Sequence, residues 1–128
     1  MTYQHNAIIT GGLQGMGLAI ATELAKQGIG VAVGARRGGD EHMAAQARAA
    51  IGDDCLVDAL DVRSTESVEA FVHKVEKTLG TPDILVNAAG ITLHQTIEGH
   101  SEEDWLDTID INLNGPFRTI RACLPNSA

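Results

Sequence analysis

Apolar residues occur along this chain in two alternating patterns. Short continuous runs predict strands over residues 7–10, 30–35 and 55–62, and residues 83–90 form a fourth predicted strand together with the turn that follows it. Such runs, bounded by turn residues, are typical of strands that are buried on both faces. Between them lie stretches with apolar residues three and four positions apart, which predict helices. The order β-α-β-α-β-α-β-α predicts an α/β protein whose parallel sheet is covered by helices on both faces.

Residues in and at the ends of the first two predicted helices support the helical prediction. In the first helix, Met16, Ile20 and Leu24 recur at every fourth position, and Gly28 follows the last turn. Glycine commonly ends a helix because it adopts the left-handed conformation without steric cost. Asp40 is the predicted N-terminal cap of the alanine-rich helix that follows.

The third and fourth predicted helices begin at hydroxyl side chains. Either Ser64 or Thr65 caps the third helix, and Ser101 forms a helix-start pair with Asp104 in the fourth. The residues of the third helix that we expect to be buried share a three-and-four spacing: Val68, Phe71, Val72, Val75 and Leu79.

Right-handed crossover connections place the four strands in the order 3-2-1-4. In a Rossmann-like, doubly wound parallel sheet of this order, the switch point lies between the first and fourth strands, where ligands bind at the carboxyl ends. Residues 10–17 and 87–90 then flank one crevice. The length of 128 residues fits one domain, residues 1–128. Because the fourth strand has no further predicted neighbour, we expect this domain to be incomplete at the C-terminus.

A glycine-rich segment, Thr10-Gly11-Gly12-Leu13-Gln14-Gly15-Met16-Gly17, joins the first strand to the first helix. Glycines allow a sharp turn close to an anion, and the start of a helix offers N–H groups without helical partners. The glycine order differs from the Gly-x-Gly-x-x-Gly pattern of dinucleotide sites, and the absence of a following Gly-Lys-Ser/Thr excludes a Walker loop. Considered alone, the segment is weak evidence, and a tight strand-to-helix turn with no ligand is the alternative.

Composition narrows the class of ligand and partner. A net charge of −8 argues against nucleic acid and anionic membranes, because both call for basic surfaces. Any ligand phosphate must therefore be met locally, by backbone dipoles and a few arginines. The two cysteines and five histidines lack metal-ligand spacing, and no metal site is predicted. The N-terminus lacks the regions of a signal peptide and no apolar run approaches about 20 residues, which together favour a cytoplasmic protein with reduced thiols.

The end of the second strand favours NADP(H) over NAD(H). An acidic residue at this position binds the ribose hydroxyls of NAD, whereas an arginine accommodates the 2′-phosphate of NADP. Here Ala35 ends the strand, and Arg36 and Arg37 follow it. A guanidinium pairs with a phosphate through two parallel hydrogen bonds. The alternative is a solvated pair of arginines on a turn.

Four motifs in register make this chain resemble the short-chain dehydrogenases/reductases. They are Thr10-Gly11-x-x-x-Gly15-x-Gly17, Asp61-Val62, Asn87-Ala88-Ala89-Gly90 and Asn112 in Asn-Leu-Asn-Gly. They occur in the family's order and span most of the chain. The resemblance implies hydride transfer between a nicotinamide cofactor and a carbonyl or alcohol carbon of a small-molecule substrate. It also implies a homo-oligomer in the full-length protein, with residues 112–124 among the paired helices.

The resemblance further implies a role for each motif. The glycines hold the cofactor pyrophosphate, Arg36 meets the 2′-phosphate, and the pair after the third strand contacts adenine. Residues 87–90 approach the ribose on the nicotinamide side, and Asn112 is the catalytic asparagine that supports a water in the proton relay. The expected cofactor-binding residues are Thr10, Gly11, Leu13, Gln14, Gly15, Met16, Gly17, Arg36, Arg37, Asp61, Val62, Asn87, Ala88, Ala89 and Gly90.

Pro116 bears on the role of Asn112. If residues 112–124 form one helix, Pro116 has no N–H to donate to the carbonyl of Asn112, and the helix kinks there. That carbonyl then becomes a natural site for a water. Alternatively, Pro116 starts a second helix at its first position.

The serine and the Tyr-x-x-x-Lys pair that the resemblance also implies are missing from this sequence. Its single tyrosine is Tyr3, and no lysine follows Lys77. We therefore predict that this chain is the cofactor-binding half of an NADP(H)-dependent oxidoreductase and that it is inactive by itself. A non-catalytic nucleotide-binding or protein-interaction domain is the alternative. The substrate is left undefined, although residues 92–97 are expected to line one wall of its pocket.

Overall fold

A computed structural model describes residues 3–91 and 96–124 of the chain. Within these ranges the strands are β1 (Asn6–Thr10), β2 (Gly30–Ala35), β3 (Leu56–Ala59) and β4 (Ile84–Asn87). The α-helices are α1 (Gly15–Lys26), α2 (Glu41–Ile51), α3 (Thr65–Thr78), α4 (Glu102–Ile109) and α5 (Gly115–Cys123). A π-helical turn, Asp110–Asn114, joins α4 to α5.

The strands pair in parallel in the order β3-β2-β1-β4, which confirms the predicted doubly wound sheet. Side chains of the two central strands alternate between two cores. Ile8 and Ala32 face the core beneath α3, whereas Ile9 and Val33 face the core beneath α1 and α2. Because the strand order reverses direction between β1 and β4, the switch point lies at the carboxyl ends of these two strands, as expected.

The predicted caps and the buried face of α3 are confirmed. Asp40 accepts hydrogen bonds from the N–H groups of the first turn of α2, and Ser101 accepts one from Asp104 N–H. Ser64, rather than Thr65, caps α3 and accepts from Ser67 N–H. The apolar positions of α3 and its end are all buried: Val68, Phe71, Val72, Val75 and Leu79.

The predicted face of α1 is wrong at its first residue. Ala21 is buried, but the Met16 side chain is 77% exposed. The helix packs against the turn after β1 through Gly17 instead, where a Cβ would overlap the carbonyl oxygen of Gly11. Because neighbouring side chains on a helix point in different directions, Met16 lies on the outer side when Gly17 faces inwards.

The third strand is shorter than the predicted 55–62. Leu60 N–H still donates to Ala35 O at 2.8 Å, but Asp61 N–H donates to the hydroxyl of Ser67 rather than to a neighbouring strand. Leu60 and Val62 are nevertheless buried in the core. Their apolar character therefore reports burial and not strand pairing.

Pro116 lies in the first turn of α5, directly after the π-helical turn. Gly115 N–H donates to Asp110 O, five residues earlier. The region is therefore not one α-helix over 112–124, and the second helix starts at Gly115, one residue before the proline. This bond serves the carbonyl of Asp110 and does not replace the donor that Asn112 O loses at Pro116.

The remaining expectations concern β4 and the loop after it. Among the described strands, β4 pairs with β1 alone, and Ile84, Leu85 and Val86 are half-buried. The predicted pocket wall over residues 92–97 falls largely on residues 92–95, which lie outside the described residues. No helix in the described part of the chain is long and apolar enough to cross a membrane.

Candidate functional site

The turns that follow β1 and β4 lie in direct contact. Thr10 Oγ1 accepts a hydrogen bond from Ala89 N–H at 3.1 Å, and Thr10 O accepts one from Ala88 N–H at 3.2 Å. A Cβ on Gly11, whose φ is +69°, would lie 2.7 Å from the Cα of Ala89. Only glycine fits this position, because the backbone is left-handed and the neighbouring chain leaves no space. The fold thus brings together two motifs that are about 80 residues apart, as the sequence predicts.

The N-terminus of α1 has the properties of an anion site. The Gln14 side chain makes no capping hydrogen bond, and the first turn contains no acidic residue. Above the turn, nothing lies within 4 Å of the Cβ position of Gly15, which has a φ of +60°. The first N–H groups of α1 therefore lack a capping side chain, which makes this turn the candidate position for a phosphate group.

A cleft of about 240 Å³ extends from the glycine turn across the ends of β2 and β3. Of the expected cofactor-binding residues, those that line it are Gly11, Leu13, Gln14, Arg36, Arg37, Asp61, Val62, Ala89 and Gly90. Apolar and small residues outside the expected cofactor-binding set complete the lining: Gly34, Ala35, Met43, Leu60, Ile91 and Ile111. These resemble core positions in the sequence, and no local signal distinguishes them.

The other expected site residues lie around this cleft and do not line it. Thr10 and Gly17 are buried beneath the glycine turn, whereas Gly15 and Met16 lie on its exposed side. Ala88 is half-buried between the two turns. The side chain of Asn87 is engaged elsewhere, because its Oδ1 accepts a hydrogen bond from the Thr119 hydroxyl of α5 at 2.7 Å.

The turn that carries Arg36 and Arg37 packs tightly against β3. A Cβ on Gly38 would overlap the carbonyl oxygen of Asp58, so the turn approaches the strand through a glycine. Both arginines are exposed at the cleft rim. The guanidinium of Arg37 lies 3.8 Å from the Asp40 carboxylate, which leaves Arg36 as the better candidate for a ligand phosphate.

Asp61 follows β3, the neighbour of the strand that ends before Arg36, and it is paired with Arg63. Arg63 Nε donates to Oδ1 and Nη2 donates to Oδ2, each at 3.0 Å. This hydrogen-bonded guanidinium is the main reason that the pKa of Asp61 lies below its usual value. Asp61 is therefore an ionised acceptor at neutral pH. Sequence reasoning missed Arg63, although its place two residues after Asp61 was a usable signal.

Asn112 is attached to the loop after β4. Its Oδ1 accepts from Ile91 N–H at 2.9 Å, and its Nδ2 donates to Ile91 O at 2.8 Å. The side-chain amide is thus committed to the backbone beside the cleft. The carbonyl of Asn112 lacks its usual α-helical donor, because Pro116 has no N–H.

Arg118 of α5 is the second functional candidate that sequence reasoning missed. Its Nη1 donates to Val62 O at 2.9 Å, and its Nη2 donates to Asp110 Oδ1 at 2.7 Å. The second of these bonds is the main reason that the pKa of Asp110 is lowered. Arg118 and Val62 are 56 residues apart, and no local pattern connects them.

Two other kinds of chemistry find no support near the cleft. Among the described residues, no three His, Cys, Asp or Glu side chains are grouped as metal ligands. Cys55 and Cys123 are free thiols, and burial raises the pKa of Cys123 to about 11. A thiol with a raised pKa is a poor nucleophile at neutral pH.

Comparison with known proteins identifies relatives over nearly the whole chain. The family model described as short chain dehydrogenase matches residues 5–127. The chain is 39% identical over 119 residues to an acetoacetyl-CoA reductase from Allochromatium vinosum, covering 90% of this chain and 48% of that protein. It is 35% identical over 127 residues to a 3-oxoacyl-[acyl-carrier-protein] reductase from Staphylococcus aureus, covering 98% of this chain and 51% of that protein.

Solved structures agree with these matches. A short-chain dehydrogenase/reductase from Brucella melitensis superposes with a TM-score of 0.86 at 27% identity, over 97% of this chain and 50% of that one. An alcohol dehydrogenase from Thermococcus sibiricus, complexed with 5-hydroxy-NADP, superposes with a TM-score of 0.81 at 36% identity, over 95% of this chain and 52% of that one. The chain spans about half the length of the relatives that it matches.

Proposed function

Because this chain belongs to the short-chain dehydrogenase/reductase family, we propose that it is the dinucleotide-binding half of an NADP(H)-dependent oxidoreductase. One observation carries the proposal: the glycine turn and residues 87–90 meet at the head of a cleft that ends at Arg36. The cofactor, when bound, supplies the hydride acceptor or donor for a carbonyl or alcohol carbon of a small molecule. The protein binds this cofactor and orients it.

The chain's own residues have distinct tasks in this proposal. The N–H groups at the start of α1 hold the pyrophosphate, and Arg36 binds the 2′-phosphate, with Arg37 beside it. Asp61 and Val62 contact the adenine, and residues 87–90 the ribose next to the nicotinamide. Support comes from the uncapped start of α1 at the glycine turn, and from the exposed Arg36 and Arg37 guanidiniums and the ionised Asp61 carboxylate where the cleft crosses the ends of β2 and β3.

Asn112 acts in this proposal through its backbone. Its side chain is committed to Ile91, so the group available to hold a water is the carbonyl that Pro116 leaves without an α-helical donor. The chain contains no Tyr-x-x-x-Lys sequence. We therefore propose that these residues bind cofactor without turning over substrate. Steady NADPH-dependent reduction of a ketone by the purified chain would refute this.

Cofactor preference is tested by calorimetric titration with NADPH and NADH. We expect NADPH to bind at least about tenfold more tightly, because one phosphate–guanidinium pair contributes about 1.5–3 kcal/mol. Arg36→Ala should abolish most of this preference and leave NADH affinity nearly unchanged. Arg121→Ala is the matched control, since it removes the same charge from an exposed position on α5 that does not line the cleft. Equal affinities for the two cofactors in the unaltered chain would refute the NADP(H) assignment.

The exposed face of α5 supports self-association of the full-length protein. Leu113, Phe117, Ile120 and Leu124 are each about half exposed or more. Large apolar side chains exposed at a three-and-four spacing along a helix are typical of interaction sites. We expect sedimentation to show a concentration-dependent oligomer that Phe117→Glu dissociates. If the chain stays monomeric at high concentration, this surface does not mediate self-association.

A further inference from the structure

Arg118 connects the adenine end of the cleft to the π-helical turn. Nη1 of its guanidinium donates to Val62 O at 2.9 Å and lies 3.5 Å from Asp110 O, and Nη2 donates to Asp110 Oδ1 at 2.7 Å. The side chain is only 18% exposed. Since a guanidinium is rigid and always charged, it fixes the separation between its partners more strictly than a flexible donor would.

Two neighbouring contacts reinforce this connection. A Cβ on Gly115 would lie 2.9 Å from Cγ2 of Val62, so the start of α5 rests directly on the residue that lines the cleft. Arg63 lies between the Asp61 carboxylate at 3.0 Å and that of Asp107 in α4 at 3.6 Å. The last contact is the weakest of the set, because Asp107 is nearly half exposed.

The opposite side of the π-helical turn is held by Asn112, through its two hydrogen bonds to Ile91. Ile91 itself lines the cleft. The turn is therefore attached to both walls of the cleft: through Arg118 to the loop after β3, and through Asn112 to the loop after β4.

We propose that Arg118 is a positioning residue that locks the π-helical turn, and with it Asn112, to the Asp61–Val62 loop, so that filling the adenine end of the cleft steadies the turn. The second half of this statement rests on the proposed function. The first half concerns the ligand-free chain. No contact of Arg118 with cofactor or substrate is needed, because it acts through Val62 and Asp110.

Hydrogen exchange on the whole chain tests the lock. The variants are Arg118→Gln, which removes the charge, and Arg118→Lys, which keeps the charge but is too compact to hold Val62 O and Asp110 Oδ1 together. In either variant we expect amides of residues 110–115 and 62–64 to exchange about tenfold faster, in parallel, while residues 6–10 of β1 are unchanged. If Arg118→Gln fails to fold, the exchange rates of Arg118→Lys test the proposal. Arg121→Gln is the matched control on the same helix and should leave both segments unchanged.

Addition of NADPH shows whether Arg118 couples the adenine end of the cleft to the π-helical turn or only supports the turn locally. In the unaltered chain, NADPH should slow exchange in both segments. In Arg118→Lys, it should slow only residues 62–64 and the glycine turn. Unchanged exchange of residues 110–115 in Arg118→Lys overturns the proposal, as does NADPH protection of that turn that survives the substitution. If the unaltered chain binds no NADPH, the proposed function fails, and the ligand-free exchange rates still decide whether Arg118 locks the turn.

Discussion

The side-chain amide of Asn112 is hydrogen-bonded at both ends to a single residue, Ile91. Oδ1 accepts from the N–H at 2.9 Å and Nδ2 donates to the carbonyl at 2.8 Å. An amide is the side chain that satisfies both groups of one peptide residue in this way, since it carries a donor and an acceptor side by side. The asparagine thereby joins the π-helical turn to the loop after β4.

Asn112→Asp tests this pairing. The carboxylate still accepts from Ile91 N–H, but it places a negative charge against Ile91 O in place of a donor. We expect the free energy of unfolding to fall by about 1–2 kcal/mol at neutral pH, measured by urea denaturation. The carbonyl oxygen raises the pKa of the new carboxyl, so the deficit should shrink as pH falls towards the ordinary Asp pKa of about 3.9 and be smallest below it, where the protonated carboxyl donates again. A deficit that does not depend on pH would contradict the proposed pairing.

Alanine substitutions at Gly11 and Gly15 distinguish the cost of a left-handed backbone from the cost of a steric clash. Both have positive φ, but a Cβ would meet Ala89 at Gly11 and nothing at Gly15. Gly15→Ala should therefore cost about 1–2 kcal/mol from the left-handed backbone alone. Gly11→Ala should cost at least about 1–3 kcal/mol more, because the two turns must move apart. Equal losses of unfolding free energy in the two variants would show that the turns are not closely packed.

Thr10 links the two turns through its hydroxyl. Thr10→Val keeps the shape of this buried side chain but leaves Ala89 N–H without its acceptor. We expect a loss of about 1–3 kcal/mol in unfolding free energy, together with weaker NADPH binding by titration. Thr10→Ser keeps the acceptor and is the control. Its NADPH affinity should stay near that of the unaltered chain, and a loss as large as that of Thr10→Val would rule out the hydroxyl as the cause.

Acid should destabilise the fold through two arginine-paired carboxylates. Hydrogen bonds from Arg63 and Arg118 lower the pKa values of Asp61 and Asp110 respectively. The unfolded chain therefore takes up protons more readily. The two pairs stabilise the fold above the ordinary Asp pKa of about 3.9, and this stabilisation is lost as pH falls through the lower folded values.

The measurement is urea denaturation at neutral pH and at several values below about pH 4. Asp61→Asn with Asp110→Asn should start from a lower unfolding free energy at neutral pH and lose less on acidification. Asp54→Asn, which alters an exposed carboxylate in the turn before β3, is the control and should keep the unaltered slope. A steeper acid loss in the double variant than in the unaltered chain would contradict the assignment.

Several features of the site could be predicted from the sequence because they depend on local chemistry. Gly11 and Asp40 occupy positions whose residue type follows from the turn or cap that they form. Val75 is buried because of the helical period around it. The same reasoning failed for Met16, since periodicity defines an apolar stripe but not which edge of the stripe meets the sheet. It also extended β3 too far, because burial continues beyond the last strand pairing.

The sequence by itself determined the order of strands and helices, the parallel sheet in the order β3-β2-β1-β4, and the two motifs at the switch point. These follow from turn chemistry, apolar period and the handedness of crossovers, all of which act over short stretches of chain. Only the tertiary structure decided that Asn112 holds Ile91 and that Arg118 holds Val62. Such partners are 21 and 56 residues apart, and their pairing depends on ångström-scale distances between a helical segment and a distant loop that no local pattern encodes.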